Sequence, residues 1–375
     1  KKTIFLYSLF LLYLLFQILP LPINLIKIIS FEKYEYFINL NSQFSYTSIS
    51  LAPGNSFFQL LNFISLLILV FVIKMIFYRE EHKNRLYFFL SFVGFLSAFI
   101  ATSIYLTGNT DIFAFKSYNS NNSSTGFFVN RTVFSIFLLF CLVSSLEYLN
   151  NSKNNEEFFF KRIYVRLFIV FITIGLITTF SRVGNFLLLN TMLFYTVSEF
   201  FFKNEKNNIF KNIILIIILI DIFVIGIYFG SSRIIDRFYF LENEFSEILS
   251  VDHNFTRFQI IKFAYYNIYD FLLFGYGPGS FEILFQSKFP NLNNTYANHA
   301  HSDLFQFIGE FGFFGLLLLL LSISKFFLKH LTFNLKSYIL LSYLIVILFF
   351  DFSLHIPFIQ FLFVCFFTLN QKFIR

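Results

Sequence analysis

The sequence predicts an all-α integral membrane protein, a polytopic helical bundle of about ten spans, and three observations predict this class. The 375 residues are 57% hydrophobic and only 13% charged, whereas soluble domains carry roughly 25% charged residues. The mean hydropathy of the chain is +0.70. The hydrophobic residues also cluster in runs of about 20, the length that a helix needs to cross a bilayer. These observations exclude a soluble domain.

Each long apolar run is predicted to be a helix, because only helices satisfy their own backbone hydrogen bonds within lipid. The first run is longer than the apolar part of a signal peptide and has no small-residue cleavage site after it, so we interpret it as a span. The predicted spans are residues 3–22, 56–78, 86–106, 131–149, 163–180, 184–202, 212–230, 311–328, 337–354 and 356–371. Together they predict a single transmembrane domain over residues 1–375.

The basic residues predict the orientation of these spans. With the N-terminus in the cytoplasm, most of the 28 Lys and Arg residues fall in cytoplasmic segments, as the positive-inside rule requires. Because these residues form short clusters between apolar runs, the net charge of +7 is not interpreted as a surface for nucleic acid. Residues 231–310 are the longest outside segment, and we predict that they form a large periplasmic loop between spans.

Within this loop, residues 255–274 have a helical pattern. At about 100° per residue, five polar residues share an arc of about 140°: Thr256, Gln259, Lys262, Asn267 and Asp270. The pattern predicts an amphipathic helix that lies on the membrane surface, in contact with membrane lipids. Arg257 falls outside the polar arc, which makes it a candidate for a specific contact.

The stretch 298–315, "NHAHSDLFQFIGEFGFFG", concentrates polar groups at one predicted membrane edge. Asp303 followed by Gln306 resembles a capping box, so we expect a helix that begins near Asp303, with this residue as its N-cap. His301 then precedes a helix N-terminus, whose dipole disfavours an imidazolium. The ring is predicted to be neutral and able to accept a proton. A solvated loop histidine is the alternative.

A zinc site formed by His299, His301 and Asp303 is also conceivable. No further His or Cys cluster in the sequence completes it. Cys141 and Cys365 both lie inside apolar runs, and neither a disulfide framework nor a thiolate metal site is predicted. We therefore predict that the protein holds no metal.

Three arginines on the outside face are candidate anion ligands. Arg182, in "TFSRVG", lies in a tight outside turn, where the positive-inside rule opposes a basic residue. Such an arginine must either snorkel or find an anion, and a fixed turn favours an anion. Arg131 and Arg257 pose the same question. Three arginines and a histidine on one face predict a site for a lipid-linked diphosphate, because the guanidinium fork matches that group.

Two glycine patterns are interpreted as structural. Gly312 and Gly315 form a small-x-x-small pattern that lets another helix approach closely. "FGYGPGSF" (274–281) lacks the Lys-Ser/Thr of a nucleotide-binding loop and follows a helix rather than a strand, so a plain turn is favoured. A rigid turn in which Gly277 and Gly279 expose backbone N–H groups beside a phosphate is the alternative.

In their order along the chain, these stretches resemble the recurring blocks of the O-antigen ligases, which share a superfamily with the O-antigen polymerases. His301-Ser302, nine residues and then Gly312-Phe313-Phe314-Gly315 resembles the ligase signature. "FQILPLP", "GFFVNR", "SRVG", "LFGYGPGSF" and "DFSLHIP" resemble other blocks, so the resemblance covers nearly the whole chain. The enterobacterial signature continues with Thr and Asp, where this chain has Leu. Ligase and polymerase therefore both remain open.

The resemblance implies a GT-C-like fold and an inverting glycosyltransferase of the bacterial inner membrane. The family usually has more spans, so we expect an N-terminal piece to be missing here. The enzyme would move a glycan from undecaprenyl diphosphate to an acceptor hydroxyl on the periplasmic face, on lipid A-core or on a growing glycan. No nucleotide, metal or other cofactor is expected, because the diphosphate of the donor carries the energy of the reaction.

The resemblance also implies roles for single residues. His301 would be the general base, and Arg182 and Arg257, joined by Arg131, would hold the diphosphate. The supporting residues would be His299, Asp303, Gly277 and Gly279. A flippase or another transporter for lipid-linked glycans is the rival interpretation. Transporters place polar groups near the bilayer midplane, whereas here almost all of them except Asp221 lie at one outer face, which favours the enzyme.

Overall fold

The computed structural model describes residues 2–39, 45–108, 123–151, 159–198, 257–289, 297–325 and 334–371. These residues are almost entirely helical. In chain order the helices are α1 (Lys2–Ile18), α2 (Ile23–Ile29), α3 (Phe31–Asn39), α4 (Pro53–Ile76), α5 (Glu80–Thr107), α6 (Arg131–Asn151), α7 (Phe159–Thr178), α8 (Arg182–Val197), α9 (Arg257–Asp270), α10 (Phe281–Lys288), α11 (Asp303–Ile323), α12 (Leu335–Phe350), a 3-10 turn (Ser353–His355) and α13 (Pro357–Leu369). Two short strands, β1 (Leu21–Pro22) and β2 (Tyr46–Thr47), pair antiparallel.

The structure confirms that this is a helical membrane protein. Within the described residues, every predicted span overlaps a helix, and the span 212–230 lies outside those residues. Within the described ranges, four helices are long and apolar enough to cross a membrane, namely α4, α5, α6 and α11. Helices α1, α12 and α13 are apolar but shorter. The number of ten spans and the periplasmic position of residues 231–310 stay predictions.

The contacts within the chain define two compact units. The first contains Lys1–Phe71, Phe240–Leu331 and Ile347–Pro357. The second contains Val72–Tyr239, Thr332–Val346 and Phe358–Arg375. The single transmembrane domain expected over residues 1–375 stays a prediction.

In the second unit, α6 is enclosed by its neighbours. In its most apolar stretch, 94% of the residues are buried, and Phe140 packs against Phe363 and Phe366 of α13 with ring centroids 4.9 Å apart in both pairs. Helix α5 approaches α6 at Gly94, where a Cβ would collide with Cys141. Small residues at such contacts let transmembrane helices pack closely.

In the first unit, α11 is broken at Gly312. This residue has φ 64° and ψ −177°, a conformation that is essentially restricted to glycine. A Cβ on Gly312 would collide with the backbone of Gly275, in the glycine-rich turn (residues 274–281), and with that of Leu273, directly before this turn. Gly312 therefore admits a close neighbour, as its pattern predicts, but that neighbour is the chain at the glycine-rich turn rather than a helix, and the residue also divides α11 into two segments.

Helix α1 and the glycine-rich turn pair with the backbone groups that this break leaves unbonded. The N–H of Tyr276 donates to the carbonyl of Gly309 at 2.9 Å. The hydroxyl of Tyr13 donates to the carbonyl of Phe311 at 2.7 Å. Tyr13 also packs on Gly315, where a Cβ would collide with its ring. The prediction that Gly315 admits a neighbouring helix is thus confirmed.

Helix α9 occupies most of the predicted amphipathic segment, but with a different buried face. Asn267, assigned to the polar face, is buried and donates to the carbonyl of Phe263 at 2.8 Å. Tyr266 and Tyr269 are exposed instead. The periodicity defined the arc of polar residues correctly, but the helix packs one edge of that arc into the core. Its position on a membrane surface stays a prediction.

We expect Gly312→Ala to lower the free energy of unfolding by about 1–3 kcal/mol, because alanine cannot adopt this backbone conformation without strain. The matched control is Gly54→Ala, in the first turn of α4, where an added Cβ meets no atom within 4 Å. Unfolding of the purified protein in detergent, followed by circular dichroism, would measure both. Equal stability of the two variants would contradict this account of the break.

Candidate functional site

The predicted site residues belong to two different units. His299, His301, Asp303 and Arg257 belong to the first unit, whereas Arg131 and Arg182 belong to the second. Each group is described within its own unit.

The loop that carries the two histidines is held against the end of α12. The N–H of Asp303 donates to the carbonyl of Asp351 at 2.9 Å, and the hydroxyl of Ser302 donates to the carbonyl of Leu348 at 3.1 Å. Between these anchors and the preceding chain, His301 has a positive φ of 57°. A left-handed conformation is uncommon outside glycine and often marks a functional position.

Asp303 begins α11 as predicted, but it is not the N-cap. The N-cap is Ser302, whose side chain makes no capping hydrogen bond. The buried carboxylate of Asp303 instead accepts the N–H of Leu354 at 2.8 Å and contacts Nδ1 of His355. The capping interpretation is therefore wrong, because the chain following α12 supplies a stronger partner, a histidine, to this carboxylate.

Gln306 also departs from the capping box and joins the same network. Its Oε1 accepts the N–H of Ala300 at 2.9 Å, and its Nε2 donates to Glu310 at 2.9 Å. The same amide lies 3.4 Å from Nδ1 of His299. Gln306 thus connects the histidine loop to a buried glutamate one turn further along α11.

His355 lies between the two acidic side chains of α11. Its Nδ1 donates to Asp303 and its Nε2 to Glu310 at 3.3 Å, while its ring stacks on Phe307 with centroids 4.2 Å apart. Burial alone lowers the pKa of His355. The charges of Glu310 and Asp303 outweigh burial and raise this pKa to about 10. His355 is therefore an imidazolium at neutral pH, and we define Asp303, His355 and Glu310 as the buried cluster.

The two loop histidines have the opposite character. Burial and then the charge of His355 lower the pKa of His299 to about 4. Burial, Arg257 and His299 together lower the pKa of His301 to about 4 as well. Both rings are neutral at pH 7, as predicted for His301, although burial rather than a helix dipole is the main cause. The ring of Phe352 stacks on His299 at 4.7 Å and meets His301 edge-on at 5.1 Å.

Among charged side chains, Arg257 has the largest effect on the pKa of His301. It is the exposed first residue of α9. After burial, its positive charge is the next cause of the lowered pKa of His301. Arg257 also acts on Asp351, whose pKa is raised to about 6 mainly by burial while Ser353 and Arg257 oppose the rise. A neutral histidine, a guanidinium and a carboxyl group therefore share one region of the first unit.

The glycine-rich turn supports this region from the other side of α11. The N–H of Gly277 donates to the carbonyl of Glu310 at 3.1 Å, so it is not open to a phosphate. Gly277 and Gly279 both have positive φ, 90° and 72°, and a Cβ at Gly277 would collide with Ser50. The favoured interpretation as a structural turn agrees with these contacts.

Arg131 and Arg182 begin two neighbouring helices of the second unit. The side chain of Asn130 accepts the N–H of Thr132 at 2.7 Å at the start of α6. Ser181 caps α8, and its hydroxyl donates to Oγ1 of Thr132 at 3.2 Å. The two arginines therefore follow two adjacent helix caps, where the helix dipoles also favour an anion.

The sequence did not single out His355, Glu310 or Asp351 as site residues. "DFSLHIP" carried the one available signal, since it places an acid and a histidine in a short polar break between two apolar runs. The proposed zinc ligands do not converge, because Asp303 faces His355. Among the residues that the structure describes, no group of three or more His, Cys, Asp or Glu side chains could hold a metal ion.

The histidines of the first unit should titrate far apart. By ring-nitrogen NMR at pH 7, we expect His355 to be doubly protonated and His299 and His301 to be neutral. Since the pKa of His355 is raised from 6.5 to about 10, its contribution to stability is complete below pH 6.5 and is lost as the pH rises through about 10. Asp303→Asn should lower this pKa. A His355 signal that titrates near 6.5 in the unsubstituted protein would contradict the buried cluster.

Comparison with known proteins identifies a domain rather than a close relative. Residues 167–320 match the family model described as O-Antigen ligase. The matched range contains Arg182, Arg257, His301, Asp303 and Glu310, whereas His355 lies beyond it. No curated protein and no solved structure matches the chain. This range is less than half of the chain, and the match over it supports the resemblance to the O-antigen ligases and polymerases seen in the sequence.

Proposed function

We propose that this protein transfers a glycan from undecaprenyl diphosphate to an acceptor hydroxyl at the periplasmic face of the bacterial inner membrane. One observation carries the proposal. A neutral histidine, His301, is held in a left-handed loop where the charge of Arg257 acts on its pKa, within a stretch that matches the O-antigen ligase model. A neutral imidazole can accept a proton, and a nearby guanidinium can bind a diphosphate.

The proposed reaction is a single displacement at the anomeric carbon. The acceptor hydroxyl attacks this carbon while His301 accepts the hydroxyl proton, and the bond between the carbon and the diphosphate oxygen breaks. Undecaprenyl diphosphate leaves with the electron pair of that bond. Arg257 would neutralise the charge that develops on the leaving oxygen. The family resemblance implies the same role for Arg182 and Arg131. The configuration of the sugar is inverted, and no covalent intermediate on the enzyme is required.

The electrostatics also account for the weak basicity of His301. A histidine whose pKa is about 4 is a poor base at neutral pH. A donor diphosphate bound to Arg257 would offset the positive charge that contributes to this low value. Burial, the larger cause of the low pKa of His301, would remain, so donor binding would raise this pKa only in part.

The buried cluster would position this base without touching the substrate. Asp303 and His355 fix the start of α11 directly after the histidine loop. Gln306 holds the backbone of Ala300, next to His301, through its 2.9 Å hydrogen bond. Catalysis of this kind requires the base to be held close to its productive geometry. His299 would serve as a neighbouring support rather than as the base.

Two alternatives differ from this proposal in distinct ways. An O-antigen polymerase would use the same donor chemistry with a growing glycan as acceptor, and the family model supports both activities. A flippase would share with transporters a broken helix such as α11. Here the broken backbone is paired internally, with the carbonyl of Glu310 accepting from Gln17 at 3.0 Å. This pairing leaves little free backbone to coordinate a substrate and favours the enzyme.

His301 and His299 should separate sharply when each is replaced. His301→Ala should reduce transfer by about 10²–10⁴-fold, the usual effect of removing a general base, whereas His299→Ala should be milder. The measurement is transfer of an undecaprenyl-diphosphate-linked glycan to acceptor in membranes that contain each variant at matched levels. If His301→Ala retains full transfer, the assignment of the base is wrong.

The arginines should require their guanidinium and not only their charge. Arg182→Lys and Arg257→Lys should each lose much of the transfer activity, because an ammonium cannot reproduce the paired hydrogen bonds of the fork. Arg166→Lys, at a basic residue near the predicted cytoplasmic end of α7, is the matched control and should be silent. Full activity in both test variants would contradict a role in diphosphate binding and would indicate that Arg182 and Arg257 are structural residues.

A further inference from the structure

The second unit contains a polar cavity at one end of its helices. The cavity has a volume of about 590 Å³ and is bounded by the start of α5, the end of α6, the residues at the start of α12 and the end of α13. Arg131 begins α6 at the opposite end, and the 21 residues of this helix span about 30 Å. The cavity is therefore separate from Arg131.

Two ion pairs line this cavity. In the deeper pair, the buried Nζ of Lys336 lies 3.0 Å from the carboxylate of Glu147 and donates to the hydroxyl of Tyr87 at 2.7 Å. In the outer pair, Lys83 donates to Glu80 at 2.6 Å, with Lys83 nearly enclosed and Glu80 exposed. The charged lining thus contains two ammonium groups and two carboxylates, and it is neutral overall.

If the two ion pairs served only to join helices, there would be no reason for a cavity beside them. Removing charged groups from water costs free energy. An ion pair that only joins helices offsets most of this cost when it is packed tightly and makes further hydrogen bonds. Here both pairs border the same cavity, whose size lies within the range of small-ligand sites. Because the lining is neutral, a ligand with a net charge would leave that charge uncompensated in the cavity, whereas a ligand with an ammonium and a phosphate would keep both signs balanced.

The surface beside the cavity indicates that such a ligand has an apolar part. An exposed stripe runs along α5 from the cavity end at helical spacing, formed by Phe89, Phe92, Leu96 and Phe99. Helices α5 and α6 are both apolar enough to cross a membrane. The charged cavity therefore lies at the end of a lipid-compatible surface, where the headgroup of a membrane lipid would be found.

We propose that this cavity binds the zwitterionic headgroup of a phospholipid that carries a primary ammonium, of the phosphatidylethanolamine type. Its phosphate would lie against Lys83 and Lys336, and its ammonium would donate to Glu80 and Glu147. Its acyl chains would follow the stripe on α5. In the predicted orientation this lipid belongs to the cytoplasmic leaflet, opposite the proposed transfer site.

The headgroup preference of the purified full chain tests this proposal. Native mass spectrometry and thermal unfolding in detergent would compare phosphatidylethanolamine, phosphatidylcholine and phosphatidylglycerol with identical acyl chains. We expect phosphatidylethanolamine to be retained best and to raise the unfolding temperature most. The trimethylammonium of phosphatidylcholine has no N–H to donate, and phosphatidylglycerol has no ammonium. Equal retention of the three lipids would overturn the proposal.

Substitutions at the outer pair avoid disturbing the buried pair. Glu80→Gln and Lys83→Gln should each weaken retention of phosphatidylethanolamine about tenfold, the loss of one charge-assisted hydrogen bond. Glu81→Gln, exposed on the same turn but outside the cavity, is the matched control and should keep the preference. An unchanged preference in both test variants would place lipid binding elsewhere. If free phosphoethanolamine alone gives the full thermal shift, the ligand is a soluble zwitterion and the lipid is excluded.

Discussion

The first unit depends on a buried imidazolium held between two acidic side chains. His355 comes from the turn after α12, whereas Asp303 and Glu310 project from the same side of α11, about two turns apart. Removing one member of such a buried set leaves a charge without compensation and costs about 3–5 kcal/mol. Burial first, and then the same charge, keep the neighbouring His299 neutral. The buried cluster thus holds the start of α11 in place and contributes to the neutral state of His299.

This arrangement in turn requires the break in α11. Glu310 lies two residues before Gly312, where its carbonyl leaves the regular helical pattern and accepts hydrogen bonds from Gln17 and Gly277. The side chain of Glu310 faces His355 while its backbone is held by α1 and the glycine-rich turn. Three segments that are far apart in the chain therefore converge on one residue. The short blocks that resemble the O-antigen ligases contribute most of these contacts.

The sequence predicted what depends on local pattern and failed where distant segments decide. Hydropathy located the helices, and the polar stretch before α11 correctly placed its start at Asp303. The partner of Asp303 was not predictable, because His355 lies far along the chain and only the fold joins them. Glu310 belonged to the polar stretch 298–315, but its role was not predictable for the same reason. In α9 the periodicity defined an arc of polar residues, but it could not indicate which edge of the arc would be buried. The buried edge is the one that carries Asn267.

The enclosure of α6 has a consequence for biogenesis. Its apolar composition allows it to enter the bilayer as an independent helix with lipid on all sides, yet in the finished second unit almost none of its apolar stretch is exposed. Part of the covering comes from α13, the last helix described, through Phe363 and Phe366. Phospholipids must therefore leave the surface of α6 after translation of α13. A ribosome that stalls before this helix would release a chain with an unsealed core and a ready target for membrane proteases.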